Sequence, residues 1–261
     1  MHSSNVLSKL RSGGVARVCS SGSALPFFPH HASRAGYDAV VLDAEHRPWQ
    51  PVDAALMLTQ CRVANIDSLW RAPSSEPVLL SRVLEDGATG IMMPMVETVD
   101  QARAAVQAAH FPPVGNRGLD GSWVDGDFGA HAKDAYVAHA LAETLVVLMI
   151  ESPEGVANAD EIAALEGVHV LFIGPGDLSL RLGCKNSWQD PKMRTAIDTV
   201  AAACLRHGKA LGHPAKSAED ARGVIGLGAR FLMMGSETQA VQQHLQACRQ
   251  MLDEATSVAS G

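Results

Sequence analysis

Four short stretches of this sequence end an apolar run on residues able to do chemistry. "DAVVLDAEHRP" carries Asp43, Glu45 and His46 just past its run, and "SLWRA" carries Arg71. "LVVLMIES" carries Glu151, and "HVLFIGPGD" carries Gly174, Pro175, Gly176 and Asp177. Glu151 and Asp177 offer hard oxygens of the kind Mg²⁺ or Mn²⁺ prefers, and two protein ligands leave positions open for water and substrate. Arg71 supplies a permanent charge on a planar fork suited to a carboxylate or a developing enolate. His46 can exchange protons near neutral pH, and Asp43, three residues earlier, is placed to fix its tautomer. With no side chain at 174 and 176 the backbone can approach a ligand, and N–H groups at a following helix start can hold an anion.

Each of these residues also has an ordinary structural role open to it. Asp177 or Ser179 could cap a helix, Glu151 could cap the one starting near Pro153, and Asp43 and Glu45 could be solvated loop acids. His46 could be a structural histidine and Arg71 an ion-pair partner. Their joint placement at run ends favours one shared site.

The elements that must position them follow from the hydrophobic pattern. Apolar runs at 15–20, 38–43, 68–72, 90–95, 145–151, 169–174, 210–213 and 231–235 read as strands. Amphipathic segments such as "VDAALMLTQCRVA", "PVLLSRVLEDG" and "VDQARAAVQAAH" lie between them, with Leu79/Val83 and Leu80/Leu84 paired at four-residue spacing. Eight strands alternating with helices predict a (β/α)8 barrel, with a doubly wound open sheet as the alternative. In such a barrel chemistry sits at the C-terminal strand ends, where the residues above fall. The segment from Phe111 to Ala140 fits least well: "FPPVGNRGLDGSWVDGDFG" is too long for an ordinary connection, as functional loops often are. No repeat or linker divides residues 1–261, so a single domain is expected.

Bulk properties narrow the function. The chain has 261 residues, is 47% apolar and carries a net charge of -7 with no Lys/Arg cluster, which argues against nucleic acid as a partner. Five scattered cysteines form no CxxC pair, which argues against disulfides and a thiolate metal site and suits a reducing cytoplasm. No run has the length of a membrane span or a signal peptide, so a cytoplasmic protein is expected.

"GYDAVVLDAEHRP", "LEDGATGIMMPMVETVDQARAAVQAAHFPPVGNRG", "FIGPGDLSLRLG" and "GARFLMMGSET", in this order and spacing, resemble the HpcH/HpaI family of class II, metal-dependent pyruvate aldolases. The resemblance spans about residues 14–250. It implies a (β/α)8 barrel, commonly with its last helix exchanged between subunits, and a homo-oligomer such as a hexamer built as a trimer of dimers. It places Glu151 and Asp177 as ligands of a divalent metal (Mg²⁺, Mn²⁺ or Co²⁺), Arg71 on the pyruvate oxygen, and Asp43 with His46 as an acid–base pair. Glu45 falls between those two in a supporting role. Gly174, Pro175, Gly176, Asp177 and Pro214 fall among the substrate-binding positions, with Gly176 where the family usually has Ala. Arg117 matches an arginine of the long loop. Two departures bear on substrate scope: Met149 stands where many members have Gln, and Gly212-His213-Pro214 replaces the usual seventh-strand sequence.

The reading is an aldolase that reversibly cleaves a 4-hydroxy-2-oxo acid into pyruvate and an aldehyde through a metal-stabilised enolate. The aldehyde partner is expected to be set by the "RGLDGSWVDGDFG" loop together with a neighbouring subunit. Oxaloacetate decarboxylation or acyl-CoA lyase chemistry on the same barrel, and a silent 2-oxo-acid-binding protein, are the alternatives. Lys209 and Lys216 flank the seventh strand and keep a Schiff-base route open.

Overall fold

The computed structural model describes residues 1–258. Eight parallel strands close a barrel in chain order: β1 (Ala16–Ser21), β2 (Ala39–Asp43), β3 (Asp67–Arg71), β4 (Gly90–Met93), β5 (Leu145–Ile150), β6 (Val170–Ile173), β7 (Ala210–Pro214) and β8 (Ala229–Ser236). All eight expected runs are strands, and the open-sheet alternative is excluded by closure of β1 onto β8. The fourth stops at Met93, short of the expected Met95: Pro94 has no N–H to give a ladder, and Met95 sits in the left-handed region at φ 55°.

Helices surround the barrel: α1 (Asn5–Arg11), α2 (Phe28–Arg34), α3 (Pro51–Val63), α4 (Pro77–Glu85), α5 (Val99–Ala109) and α6 (Lys133–Glu143) in the first half. The second half adds α7 (Pro153–Ala157), α8 (Ala159–Ala163), α9 (Pro175–Leu182), α10 (Pro191–Arg206), α11 (Ala218–Gly226) and α12 (Glu237–Val258). The sequence marks many of the starts. Pro opens α3, α4, α7, α9 and α10, where its missing N–H would have been unpaired anyway. Thr98 and Gln101 form a reciprocal capping box on α5. On α4 the buried stripe is Leu80, Val83 and Leu84, whereas Leu79 is 49% exposed, so only one of the two expected pairs faces the barrel. No helix among the described residues is long and apolar enough to cross a membrane.

Strand alternation sorts the core into two layers. Ala16, Val18, Ala39, Val41, Leu69, Met92, Val147, Met149, Phe172 and Phe231 fill the barrel, while Cys19, Val40, Leu42, Trp70, Ile91, Leu148 and Leu171 pack outward on the helices. Three thioethers thus line the interior, counting the partly buried Met233. Gly212 belongs to this inward series because a Cβ there would lie 2.7 Å from Cδ2 of Phe172.

The N-terminal end of the barrel is plugged by α1. Its Val6 and Leu7 join the interior cluster, and the fully buried Asp67 accepts Ser4 Oγ at 2.6 Å, Val6 N at 2.9 Å and Asn5 N at 3.0 Å. A carboxylate on the first N–H groups of a helix satisfies donors that would otherwise be orphaned. Nearby, His169 and His110 face each other with ring centroids 5.9 Å apart. Burial, with smaller contributions from the charges of His110, Lys209 and Arg11, pushes the His169 imidazole down to about 3, and burial likewise lowers His110. The fold therefore holds the His169 ring neutral. An unfolded His titrates near about 6.5, so this contribution is full above that pH and is lost as pH falls from there towards 3. Urea midpoints should drop between pH 7.5 and 5, and His169→Gln should flatten the slope; an unchanged slope would remove His169 from the acid response.

Candidate active site

The inward series on each strand, continued by one step, delivers the candidate residues. Asp43 follows Ala39 and Val41, Arg71 follows Asp67 and Leu69, Glu151 follows Val147 and Met149, and Gly174 follows Val170 and Phe172. All four sit at the C-terminal ends of their strands, and Pro214 does so on β7.

Parallel register puts Asp43 directly beside Arg71. Their pairing is bidentate, with Nε to Oδ1 at 3.0 Å and Nη2 to Oδ2 at 2.7 Å, while Nη1 lies 3.3 Å from Oε2 of Glu45. Burial alone would raise the Asp43 carboxyl, but the Arg71 hydrogen bonds and charge outweigh it and hold the group below the usual carboxylate range. The backbone N–H groups of Glu45 and His46 both donate to Asp43 Oδ1 at 3.2 Å, so the turn carrying His46 hangs on this carboxylate. One expectation changes here. Asp43 does not face the His46 ring; Arg71 takes its oxygens, and the carboxylate next to His46 Nε2 is Glu45, at 3.5 Å. The His46 side chain is 57% exposed at the mouth.

Glu151 is buried at 5% exposure, and its Oε2 accepts the Met95 N–H at 2.9 Å. Burial raises its carboxyl, the Met95 N–H opposes this, and the negative charges of Glu45 and Asp177 raise it further, against Arg71. Met95 is the contributor that sequence reasoning missed. A backbone amide leaves no mark in a residue type, although Pro94 breaking the fourth run was a signal that the chain turns there.

The Gly-Pro-Gly turn has a different purpose at each glycine. A Cβ on Gly174 would lie 2.1 Å from Oε1 of Glu151, so this position makes room for the carboxylate rather than for a ligand. A Cβ on Gly176 would meet nothing within 4 Å. Gly174 is the N-cap of α9, so neither Asp177 nor Ser179 caps it; Ser152, not Glu151, caps α7. Asp177 lies exposed in the first turn of α9, and the N–H groups of Gly176 and Asp177 have no partner among the described residues.

Buried Glu151, charged neighbours Glu45 and Asp177, and a single backbone N–H on the carboxylate make a site short of positive charge. Glu45 is already turned to Arg71, which leaves Glu151 and Asp177 as the two hard donors. Among the described residues no group of three or more His, Cys, Asp or Glu forms a metal cage. The donor set thus fits a hydrated divalent cation held at a few positions, as Mg²⁺ prefers, and not a closed structural site.

Other candidates fall elsewhere. Met149 is inward, one step below Glu151, but it packs at 3% exposure in the apolar interior opposite Phe172. His213 points outward from β7 and its Nδ1 bonds the Pro214 carbonyl at 2.6 Å. Lys209 precedes β7, at the opposite end of the barrel from Glu151, and so takes no part in a Schiff base there. The long loop is also at that opposite end. Trp123 bonds Asp86 at 2.8 Å, Arg62 bonds Asp127 at 2.8 Å, and buried Arg117 pairs with Asp125 at 2.6 Å over the Phe111 ring. Within one chain, Arg117 and its loop brace the barrel bottom and line no part of the site. Of the segment from Phe111 to Ala140, which fits the strand–helix alternation least well in sequence, the part from Lys133 onward is helical.

A (β/α)8 barrel with a carboxylate–arginine cluster on its C-terminal face defines an enzyme of the barrel class. The chain belongs to the HpcH/HpaI aldolase/citrate lyase family, whose pattern matches residues 20–243, and it is a carbon–carbon lyase. It is 35% identical over 223 residues to the hydroxypyruvate/pyruvate aldolase of Delftia acidovorans, covering 85% of this chain and 82% of that one. It is 36% identical over 203 residues to the 5-keto-4-deoxy-D-glucarate aldolase of Klebsiella pneumoniae, covering 78% of each. The crystal structure of the HpcH/HpaI aldolase from Desulfitobacterium hafniense superimposes with a TM-score of 0.88 at 26% identity, over 95% of this chain and 96% of that one.

Proposed function

We propose that this enzyme reversibly cleaves a 4-hydroxy-2-oxo acid into pyruvate and an aldehyde, with Glu151 and Asp177 holding a divalent cation. The observation that carries this reading is the meeting of a buried carboxylate, a second carboxylate and a forked arginine on one barrel face. It gains support from relatives named as aldolases of hydroxypyruvate/pyruvate and of a keto-deoxy sugar acid. When bound, the cation supplies Lewis acidity towards the 2-oxo group. The unpartnered N–H groups of Gly176 and Asp177 receive the substrate carboxylate at the start of α9. Arg71, steadied by Asp43, donates to the oxygen on which negative charge develops as the C3–C4 bond breaks. His46 takes the C4 hydroxyl proton, with Glu45 beside it to steady the imidazolium. Pro214 offers an apolar surface to the pyruvate carbon.

A screen of aldehydes with pyruvate and Mg²⁺, Mn²⁺ or Co²⁺, reading aldol product, tests the proposal. Chelation should abolish turnover and the cations should restore it; full activity after exhaustive chelation would overturn the metal role. His46→Ala should lower aldol cleavage by about 10²-fold while sparing exchange of pyruvate methyl protons, since its task is the C4 hydroxyl. Equal loss of both activities would reassign His46.

The chain is also read as a homo-oligomer. Val241, Leu245 and Leu252 form an exposed stripe on α12, at 54%, 63% and 63%. Exposed Leu119 and Phe128 lie on a loop that can reach a C-terminal face only on another copy. A monomer in sedimentation would remove both supports.

A further inference from the structure

The end of the barrel away from the catalytic face carries a second concavity, of about 350 Å³, between α1 and the starts of β6, β7 and β8. Its floor includes Leu7 and Leu10, and its polar lining is Arg11, His169, Lys209 and Arg230, with no Asp or Glu, in a chain whose net charge is -7. The four are not equivalent. Arg11 is committed to Glu143, at 2.9 Å. Lys209 and Arg230 have no carboxylate within ion-pair distance among the described residues. Lys209 Nζ donates to the Leu165 carbonyl at 3.1 Å, and Arg230 Nη1 to the Ala229 and Ile225 carbonyls at 2.8 and 3.3 Å. These bonds orient the two side chains and leave further donors on each, two on the ammonium and the Nε–Nη2 edge on the guanidinium. Glu166 acts on Lys209 only from outside the lining.

His169 adds a donor whose sense is fixed. Its Nδ1 accepts the Val146 N–H at 3.2 Å, so the neutral ring carries its proton on Nε2. Half-buried cations are ordinarily matched by counter-charge. Here two of them, with an imidazole, line one open bowl whose lining holds no carboxylate.

We propose that this bowl is a binding site for a compact organic dianion, a phosphate monoester or a dicarboxylate, held between Lys209 and Arg230 with its carbon stem on Leu7 and Leu10. The volume lies at the lower end of the range of small-ligand sites. A ligand there would join α1, the plug of the barrel, to the starts of three strands, and would act on stability at the end remote from catalysis.

The test is calorimetric titration of the full chain with inorganic phosphate, a three-carbon phosphate monoester and succinate, with glycerol as the neutral control. At least one dianion should bind and raise the melting temperature, and glycerol should not. Lys209→Gln and Arg230→Gln each keep a donor for the carbonyls that these side chains bond, so the fold is retained. Each should weaken binding by about tenfold, the effect of losing one charge-assisted contact. Arg71→Lys should leave it unchanged, which separates this bowl from the catalytic face. Phosphate-selective binding identifies a tetrahedral dianion and succinate-selective binding a dicarboxylate; either supports the site. No binding of any probe at about 10 mM, equal binding in the Gln variants, or loss in Arg71→Lys overturns it.

Discussion

Arg71→Lys is expected to lower kcat/KM for aldol cleavage by about 10²–10³-fold, the usual effect of removing a donor aimed at developing charge. Charge is conserved in this substitution, so the loss isolates the fork. Three nitrogens of Arg71 reach two carboxylates, Asp43 twice and Glu45 once. An ammonium on a shorter, flexible stem cannot span both and still offer an N–H to substrate. Asp43 would lose its partner while still anchoring the backbone of Glu45 and His46, so the turn bearing the proton acceptor should loosen as well. Pyruvate proton exchange should fall with cleavage, because both need the same charge stabilised. Exchange at the original rate would show that Arg71 serves only as a brace. The melting temperature should change little, since a lysine keeps a positive charge beside Asp43 and Glu45.

Gly174→Ala should silence the enzyme more than it destabilises it. The new methyl would sit 2.1 Å from Oε1 and 2.5 Å from Cγ of Glu151, and no side chain can share that space. Either Glu151 swings away or the end of β6 shifts. Overpacking of this kind costs about 1–3 kcal/mol, which a barrel of this size can absorb. A displaced Glu151 carboxylate, by contrast, should reduce turnover at least about 10²-fold. Adding Glu151→Asp to Gly174→Ala shortens the acid by one methylene and should recover part of the loss. A Gly174→Ala enzyme with unaltered turnover would mean that the Glu151 position is not required.

Much of this site could be read from alternation alone. Period-two patterning carries Asp43, Arg71, Glu151 and Gly174 to one face whatever the details of the helices, because inward parity is a local property of each strand. Partner choice is not local. Asp43 and Arg71 are neighbours through the register of β2 against β3, which no spacing within one segment encodes, and so the nearer histidine in sequence was the wrong partner. The Met95 N–H was hidden for a related reason: its direction comes from a left-handed backbone at φ 55° on a residue that rarely adopts it. The place of the loop around Arg117 was not legible in its composition. Gly and Pro announce irregular chain but not the end of the barrel at which it lies, and α5 delivers it to the N-terminal face.

The thioethers inside the barrel bear on how the enzyme ages in an oxidising medium. Met92 and Met149 are 0% and 3% exposed, whereas Met234 and Met251 are 41% and 60% exposed. Peroxide should therefore convert Met251 and Met234 to sulfoxide first, visible by peptide mass mapping, with turnover intact. Only later, as the barrel opens transiently, should Met149 react. A sulfoxide there would set a polar, chiral group directly beneath Glu151, and activity should fall in step with that single modification and not with the total oxygen taken up.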